Sequence, residues 1–194
     1  MNVRKIVAAE FMTLDGVVEA PGSADTTLPD KRGWSEPFMS DEIAKFILDQ
    51  MDLSDALLLG RKTYQDFAAF WPAIPDEDPF GKRMNGHAKF AVSTTLDKTE
   101  WNNSKLIKGN VTEEIAKLKQ QSGQNINITG SGTLVQSLLQ HDLIDEIQLL
   151  VCPVVLGIGK RLFMEGLDTK TLKLVEAKPF NSGMVMLSYQ PDKK

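Results

Sequence analysis

Cysteine, histidine and basic excess are all scarce in this chain. One cysteine, Cys152, excludes an internal disulfide, and the two histidines, His87 and His141, stand too far apart in sequence to suggest a metal-ligand pair. No structural metal is expected. No run of about eighteen apolar residues occurs, and residues 1–11 lack the apolar stretch and small-residue cleavage site of an export signal, so the expected compartment is the cytosol, with no membrane partner. The formal net charge of −4 over 194 residues argues against a nucleic-acid binder that works by bulk electrostatics, so an anion site has to be made by local geometry. Internal repeats, low-complexity tracts and linkers are also missing. Residues 1–194 are therefore expected to form a single domain, and 42% hydrophobic with 25% charged residues suits a soluble globular core.

The most informative stretch is Ala56-Leu57-Leu58-Leu59-Gly60-Arg61-Lys62-Thr63-Tyr64. Four apolar residues bounded by Asp55 and Gly60 are too few for a helix and read as a short strand buried on both faces. A helix start follows, with Thr63 as the expected cap of residues 64–70. Gly60 permits close approach of the backbone, and exposed helix N–H groups beside Arg61 and Lys62 suit a phosphorylated ligand. Taken alone, the stretch is equally well read as a strand-to-helix turn with two solvated cations.

Residues 3–12 read as a buried strand, and Leu14-Asp15-Gly16-Val17-Val18 as a turn with a second extended piece. Residues 20–39 hold three prolines, two glycines and the aromatics Trp34 and Phe38, too long a connection to be idle and suited to a lid or a solvated insertion. Ser40-Asp41-Glu42 opens an amphipathic helix carrying Ile43, Phe46, Ile47 and Met51 on one face. Trp71-Pro72 ends the helix after Gly60, and residues 72–86 read as irregular. Strands follow at 89–93, 105–107, 125–129 and 145–151, with helices at 113–121, capped by Thr112, and 133–140. Residues 172–177 and 184–189 form a hairpin about Asn181-Ser182-Gly183.

This alternation implies an α/β fold: a mostly parallel central sheet with helices on both faces and an antiparallel C-terminal hairpin. Ligands in such sheets lie at the carboxyl ends of strands. Three of those ends carry ligand-like chemistry: Gly60 to Thr63, the hydroxyls Ser93-Thr94-Thr95, and Thr129-Gly130-Ser131-Gly132-Thr133. Gly130-Ser131-Gly132 supplies two of the three glycines of a dinucleotide fingerprint, with Val135 in the third place and no Walker lysine after it, so neither an ordinary Rossmann domain nor a P-loop fits.

In this order and spacing, Gly60-Arg61-Lys62-Thr63, Val92-Ser93-Thr94-Thr95-Leu96 and Ile128-Thr129-Gly130-Ser131-Gly132 resemble the cofactor-binding elements of the dihydrofolate reductase fold. Leu143-Ile144-Asp145-Glu146, Pro153-Val154-Val155-Leu156-Gly157 and Gly159-Lys160-Arg161-Leu162-Phe163 look like the reductase domain of the bifunctional riboflavin-biosynthesis deaminase-reductase. Phe70-Trp71-Pro72 and Leu14-Asp15-Gly16 are shared with small stand-alone bacterial members. The resemblance implies a dihydrofolate reductase-like fold and NADPH as cofactor. Arg61, Lys62 and Ser93 to Thr95 would surround the 2′-phosphate and adenine end, with Gly130 to Thr133 on the pyrophosphate. It also implies a homodimer, and the apolar run at 147–152 suggests that another subunit covers one face of that strand.

The implied activity is hydride transfer from NADPH to a small heterocycle such as a pterin or pyrimidine, similar to 5-amino-6-(5-phosphoribosylamino)uracil reductase or dihydrofolate reductase. Two departures stand against the pattern. The acid that dihydrofolate reductases carry on the helix before the Gly-Arg strand would fall near Ala44, and the zinc-binding deaminase half has no counterpart. Asp15 is a candidate for contacting substrate or nicotinamide, or a turn aspartate before Gly16. Trp34, Phe38 and Trp71 are candidates to stack on a flat substrate, or core aromatics. A non-catalytic nucleotide- or pterin-binding module, and an interaction protein without ligand, are the competing classes; NADPH oxidation and dinucleotide binding separate them.

Overall fold

The apolar runs become strands of one sheet. The computed structural model describes residues 3–23, 25, 27–163 and 166–192; positions 24 and 26 of the 20–39 segment lie outside the described residues. The elements run β1 (Ile6–Thr13), α1 (Asp41–Met51), β2 (Ser54–Gly60), α2 (Arg61–Phe70), α3 (Pro79–Gly86), β3 (Ala88–Val92), β4 (Ser104–Ile107), α4 (Val111–Lys119), β5 (Asn125–Ile128), α5 (Gly132–Gln140), β6 (Glu146–Cys152), β7 (Leu172–Pro179) and β8 (Val185–Pro191). The sheet order is β4-β3-β2-β5-β1-β6-β8-β7. Strands β1 to β6 are mutually parallel, and β8 pairs antiparallel with both β6 and β7.

Each face of the sheet is covered by helices of the same chain. On one, Ile6, Ala8, Leu58, Ile126, Ile128 and Ile147 pack under Ile115 and Leu118 of α4 and Leu134, Val135 and Leu138 of α5. Burying each of those large side chains contributes about 1.5–3 kcal/mol. On the other face, Leu57, Leu59 and Ala91 meet Met51, Tyr64 and Met84, while Leu150, Cys152, Met184 and Met186 meet Ile43 and Trp34.

Local chemistry shifts several expected boundaries. Gly60 caps α2, with no side-chain cap bond, so Thr63 lies inside the first turn and is not the cap. Asn110 rather than Thr112 caps α4, its side chain accepting from Glu113 N. The segment 72–86 is not irregular throughout: Asp78 accepts from Phe80 N and Gly81 N at 2.8 Å each, and Pro79 takes the first-turn place where no N–H is needed, so a helix forms. The second-subunit cover expected over residues 147–152 is not required either. β6 lies between β1 and β8, and its two faces are covered by the two clusters above; the outer strand on that side is β7.

One buried charge holds α3 to the sheet. Lys89 is 0% exposed, and its Nζ donates to the carbonyls of Met84 and Asn85, at 2.9 Å each, in the last turn of α3. The Trp101 ring lies 4.2 Å from the same nitrogen. A cation at a helix carboxyl end and over an aromatic face is stabilised by both.

Candidate functional site

Parallel pairing brings the three predicted strand ends side by side. β3, β2, β5 and β1 are consecutive in the sheet, so Ser93 to Thr95, Gly60 to Thr63 and Thr129 to Thr133 emerge at one edge, next to the end of β1. There the N-termini of α2 and α5 converge so closely that only glycines fit. A Cβ on Gly60 would stand 2.6 Å from Ser131 Oγ, and one on Gly130 would stand 3.0 Å from Thr63 Oγ1. Gly130 also has φ +65, the left-handed region that a glycine enters without steric cost. Ser131 caps α5, which therefore starts at Gly132, one residue earlier than its pattern suggests. Gly132 does not take a positive φ; a Cβ there would instead meet Val18 Cγ2 at 2.9 Å.

A cleft of about 230 Å³ opens over this junction, lined by Lys62, Thr63 and all of Thr129 to Thr133. It is also bordered by Val18, Glu19, Pro21, Asp25 and Thr27 and by Lys160 and Arg161. The long segment after β1 thus divides: its first part borders the cleft, and its second is locked into the core. Trp34 is 7% exposed, packs with Ile43 and Met184, and donates Nε1–H to the Glu19 carbonyl at 2.8 Å. Phe38 packs against the same cluster. Trp71 stacks edge-on with Phe67 and Phe70, its Nε1 buried without a partner among the described residues. None of these three rings lines the cleft.

The cations differ in their freedom. Arg61 is exposed, with Nη1 3.3 Å from Gln65 Oε1, whereas Lys62 Nζ lies 2.6 Å from the Asp66 carboxylate, which also lines the cleft. Lys160 pairs with Glu19 at 3.1 Å, and Arg161 Nε donates to the Asp15 carbonyl at 2.8 Å. At the end of β3, Ser93 Oγ accepts from Thr95 N and Leu96 N at 3.1 and 2.9 Å, leaving the Thr94 and Thr95 side chains exposed. These hydroxyls stand next to α2 but outside the cleft lining.

Asp15 has a tying role in this geometry. Its carboxylate accepts from Thr13 Oγ1 at 2.7 Å, Gly157 N at 2.8 Å and Leu156 N at 3.2 Å, joining the turn after β1 to the one after β6. The Thr13 hydroxyl and the Gly157 N–H hold the carboxyl down, to about 2, so it is a carboxylate throughout the neutral range. It has no proton to donate there.

The sequence reading missed Glu10. It stands on β1 two residues beyond the Ala8–Ile128 pair, opposite Leu149 of β6, is 5% exposed, and lines the cleft. Its Oε1 accepts Gly130 N–H at 3.0 Å, the carboxyl's one hydrogen bond among the described residues. Burial pushes the carboxyl up to about 8, against the lowering by that N–H, so Glu10 is mostly protonated at neutral pH. The signal was there as a lone acid inside Ile6-Val7-Ala8-Ala9-Glu10-Phe11-Met12. Among the described residues no group of three His, Cys, Asp or Glu side chains is arranged to hold a metal ion.

Residues 4–186 match the RibD C-terminal domain family. The chain is 30% identical over 193 residues to YyaP, an uncharacterized protein of Bacillus subtilis (strain 168), covering 97% of this chain and 96% of that one. A pyrimidine reductase-like protein from Corynebacterium diphtheriae is similar with a TM-score of 0.70 at 13% identity, covering 100% of this chain and 94% of the other. The dihydrofolate reductase of Enterococcus faecalis, complexed with NADP(H), gives 0.64 at 15% identity, with 97% of each chain covered. Identities this low speak to the fold, which is the dihydrofolate reductase-like α/β sheet with an antiparallel C-terminal hairpin. With the fold and the full-length match in agreement, the chain belongs to the RibD C-terminal domain family.

Proposed function

We propose that the protein is an NADPH-dependent reductase of a small heterocyclic substrate of pterin or pyrimidine type. The observation that carries this reading is the junction of α2 and α5, where Gly60 and Gly130 leave no room for a Cβ and two helix N-termini face one cleft. Such N–H groups and their dipoles suit a pyrophosphate. For the rest of a dinucleotide phosphate, Arg61, Lys62 and the hydroxyls of Ser93 to Thr95, the last outside the cleft lining, are assigned to the 2′-phosphate end, and Thr129 to Thr133 to the pyrophosphate. Membership of the RibD C-terminal domain family, with a fold like that of a pyrimidine reductase-like protein and a dihydrofolate reductase, supports the same class.

When bound, NADPH supplies a hydride from its nicotinamide. The chain's own residues would hold the phosphates at the two helix N-termini, with Val18, Glu19, Pro21, Asp25 and Thr27 bordering the same cleft. The test is NADPH oxidation across a panel of dihydropterins, aminopyrimidines, quinones and aldehydes, beside direct NADPH titration. Tight NADPH binding with no reduction of any acceptor would favour the non-catalytic module; absence of any dinucleotide binding would favour an interaction protein.

Cofactor choice gives a sharper expectation. A charge-assisted hydrogen bond is worth about 1.5–3 kcal/mol, so a 2′-phosphate held by Arg61 favours NADPH over NADH by at least about tenfold. Because Lys62 is already engaged by Asp66, Arg61→Ala should erase more of that preference than Lys62→Ala. Equal dissociation constants for the two cofactors in the wild-type protein would count against this assignment.

The homodimer remains part of the proposal. β7 is an outer strand exposing Leu174 and Val175, at 50% and 53%, an edge that a second copy would cover. Sedimentation at micromolar concentration should give twice the mass of the 21.5 kDa chain; a monomer mass overturns it. Among the described residues no helix is long and apolar enough to cross a membrane.

A further inference from the structure

We propose that Glu10 is the proton donor of this reductase, giving the proton of its carboxyl Oε2 to the substrate nitrogen or oxygen as hydride reaches the adjacent carbon. The inference rests on the reductase reading and adds to it a proton donor: position 44 in α1 is alanine, the exposed Asp41 and Glu42 of that helix do not line the cleft, and Asp15 is held as a carboxylate.

Three observations carry it. Glu10 is 5% exposed yet lines the cleft, so what solvent contact it has is with the cavity. Gly130 N–H, at 3.0 Å, occupies Oε1, which leaves Oε2 to carry the proton. That N–H belongs to the same turn that starts α5, so the acid sits beside the backbone proposed to hold the cofactor. Other ionisable groups around the cleft are already occupied: Lys62 with Asp66, Lys160 with Glu19, and Arg161 on the Asp15 carbonyl. Asp25, the remaining one lining the cleft, accepts from Thr27 N and Oγ1. Burial keeps Glu10 protonated to about pH 8, where a neutral-pH general acid is useful.

The step balances simply. NADPH is the reductant: its hydride forms the new C–H bond, the C=N or C=O π pair takes the proton from Oε2, and NADP⁺ and a Glu10 carboxylate remain. Water then reprotonates Glu10. Both substrate bonds are made without a charged intermediate leaving the cleft.

Glu10→Gln tests this, because glutamine keeps an oxygen for Gly130 N–H but has no acidic proton. With NADPH and the panel acceptor that wild-type protein reduces fastest, turnover should fall about 100-fold at pH 7, while the NADPH dissociation constant stays within about threefold. Wild-type turnover should decline as pH rises through about 8, and the residual activity of the variant should lack that decline. An independent readout is infrared spectroscopy of the cofactor-free protein: a protonated-carboxyl band at pH 6–7, lost above about pH 9, present in wild type and missing in the variant. A variant with wild-type turnover and pH profile, or a wild-type spectrum without that band, overturns the assignment of Glu10 alone. A wild-type protein that fails to oxidise NADPH in the presence of every acceptor of the panel overturns the reductase reading and this step with it.

Discussion

Gly60→Ala should lower NADPH affinity by about 100-fold in a protein that still folds. The backbone tolerates the change, since Gly60 sits at φ −69 and ψ 160, an extended conformation open to any residue. The conflict is one of space: the new methyl carbon would lie 2.6 Å from Ser131 Oγ and 2.9 Å from Ser131 Cβ. Relief requires the start of α5 to move away from the start of α2, and a pyrophosphate bound by both would lose one set of N–H donors. Two charge-assisted bonds at about 1.5 kcal/mol each amount to about 3 kcal/mol, or roughly 100-fold. Overpacking itself costs about 1–3 kcal/mol of stability, visible in urea unfolding but short of abolishing the fold. Ser131→Gly supplies the decisive control. Alone it removes a cap at a cost of a few tenths of a kcal/mol, and in the Gly60→Ala background it removes the atoms the methyl meets, so the double variant should regain most of the affinity. Additive losses in that cycle would show that the two N-termini do not act on one ligand. Gly130→Ala provides a second route to the same loss, through its left-handed φ of +65 and the Thr63 contact at 3.0 Å.

Lys89→Ala should destabilise the fold by about 3–5 kcal/mol, the largest single effect expected outside the cleft. Truncation leaves the Met84 and Asn85 carbonyls without their buried donor, at about 1–3 kcal/mol for such groups, and opens a cavity beneath Trp101. Lys89→Met, which keeps the apolar stem, should cost clearly less. The two together separate packing from charge. Burial pushes the Lys89 ammonium down to about 8, below the ordinary value of 10.5. Between those two values the unfolded chain holds the proton that the folded chain has released, so wild-type stability should rise from pH 8 to pH 10 by this group's contribution. Lys89→Met should lack that rise. Denaturant midpoints at pH 7, 8.5 and 10 measure both effects; identical pH slopes in wild type and Lys89→Met would refute the titration.

The strand ends were legible because each is announced locally. An apolar run stops at Gly60, at Ser93 or at Gly130, and parallel order then places those stops at one edge without further information. The hairpin about Asn181-Ser182-Gly183 was legible for the same reason, since turn chemistry is contained within a few residues. Features decided by distant partners were not. Glu10 is buried by a turn about 120 residues away, and in an apolar run a single acid is as easily a surface position. Trp34 reads as a loop aromatic until α1 and the hairpin residues Phe180 and Met184 close over it. Apolar residues on both faces of β6 announced two covers correctly, but not that helices and hairpin of the same chain supply them. In α3, Pro79 reads as a breaker unless Asp78 is recognised as the cap that makes proline acceptable at the next position.

The central place of β1 has a consequence for how the chain is made. β1 leaves the ribosome well before its neighbours, since Ile6 pairs with Ile126 and Ala8 with Ile147. At roughly 5–20 residues per second the strand waits on the order of ten seconds with its backbone edges open. During that interval Ile6-Val7-Ala8-Ala9 is the kind of segment that recruits other chains, and long-range pairing of this sort also slows folding. In the unfolded chain Glu10 has the ordinary carboxyl value near 4.5 and is charged. The same carboxyl that loses its charge on burial is thus a charge inside the apolar segment while its partners are still missing, the kind of residue that disfavours aggregation.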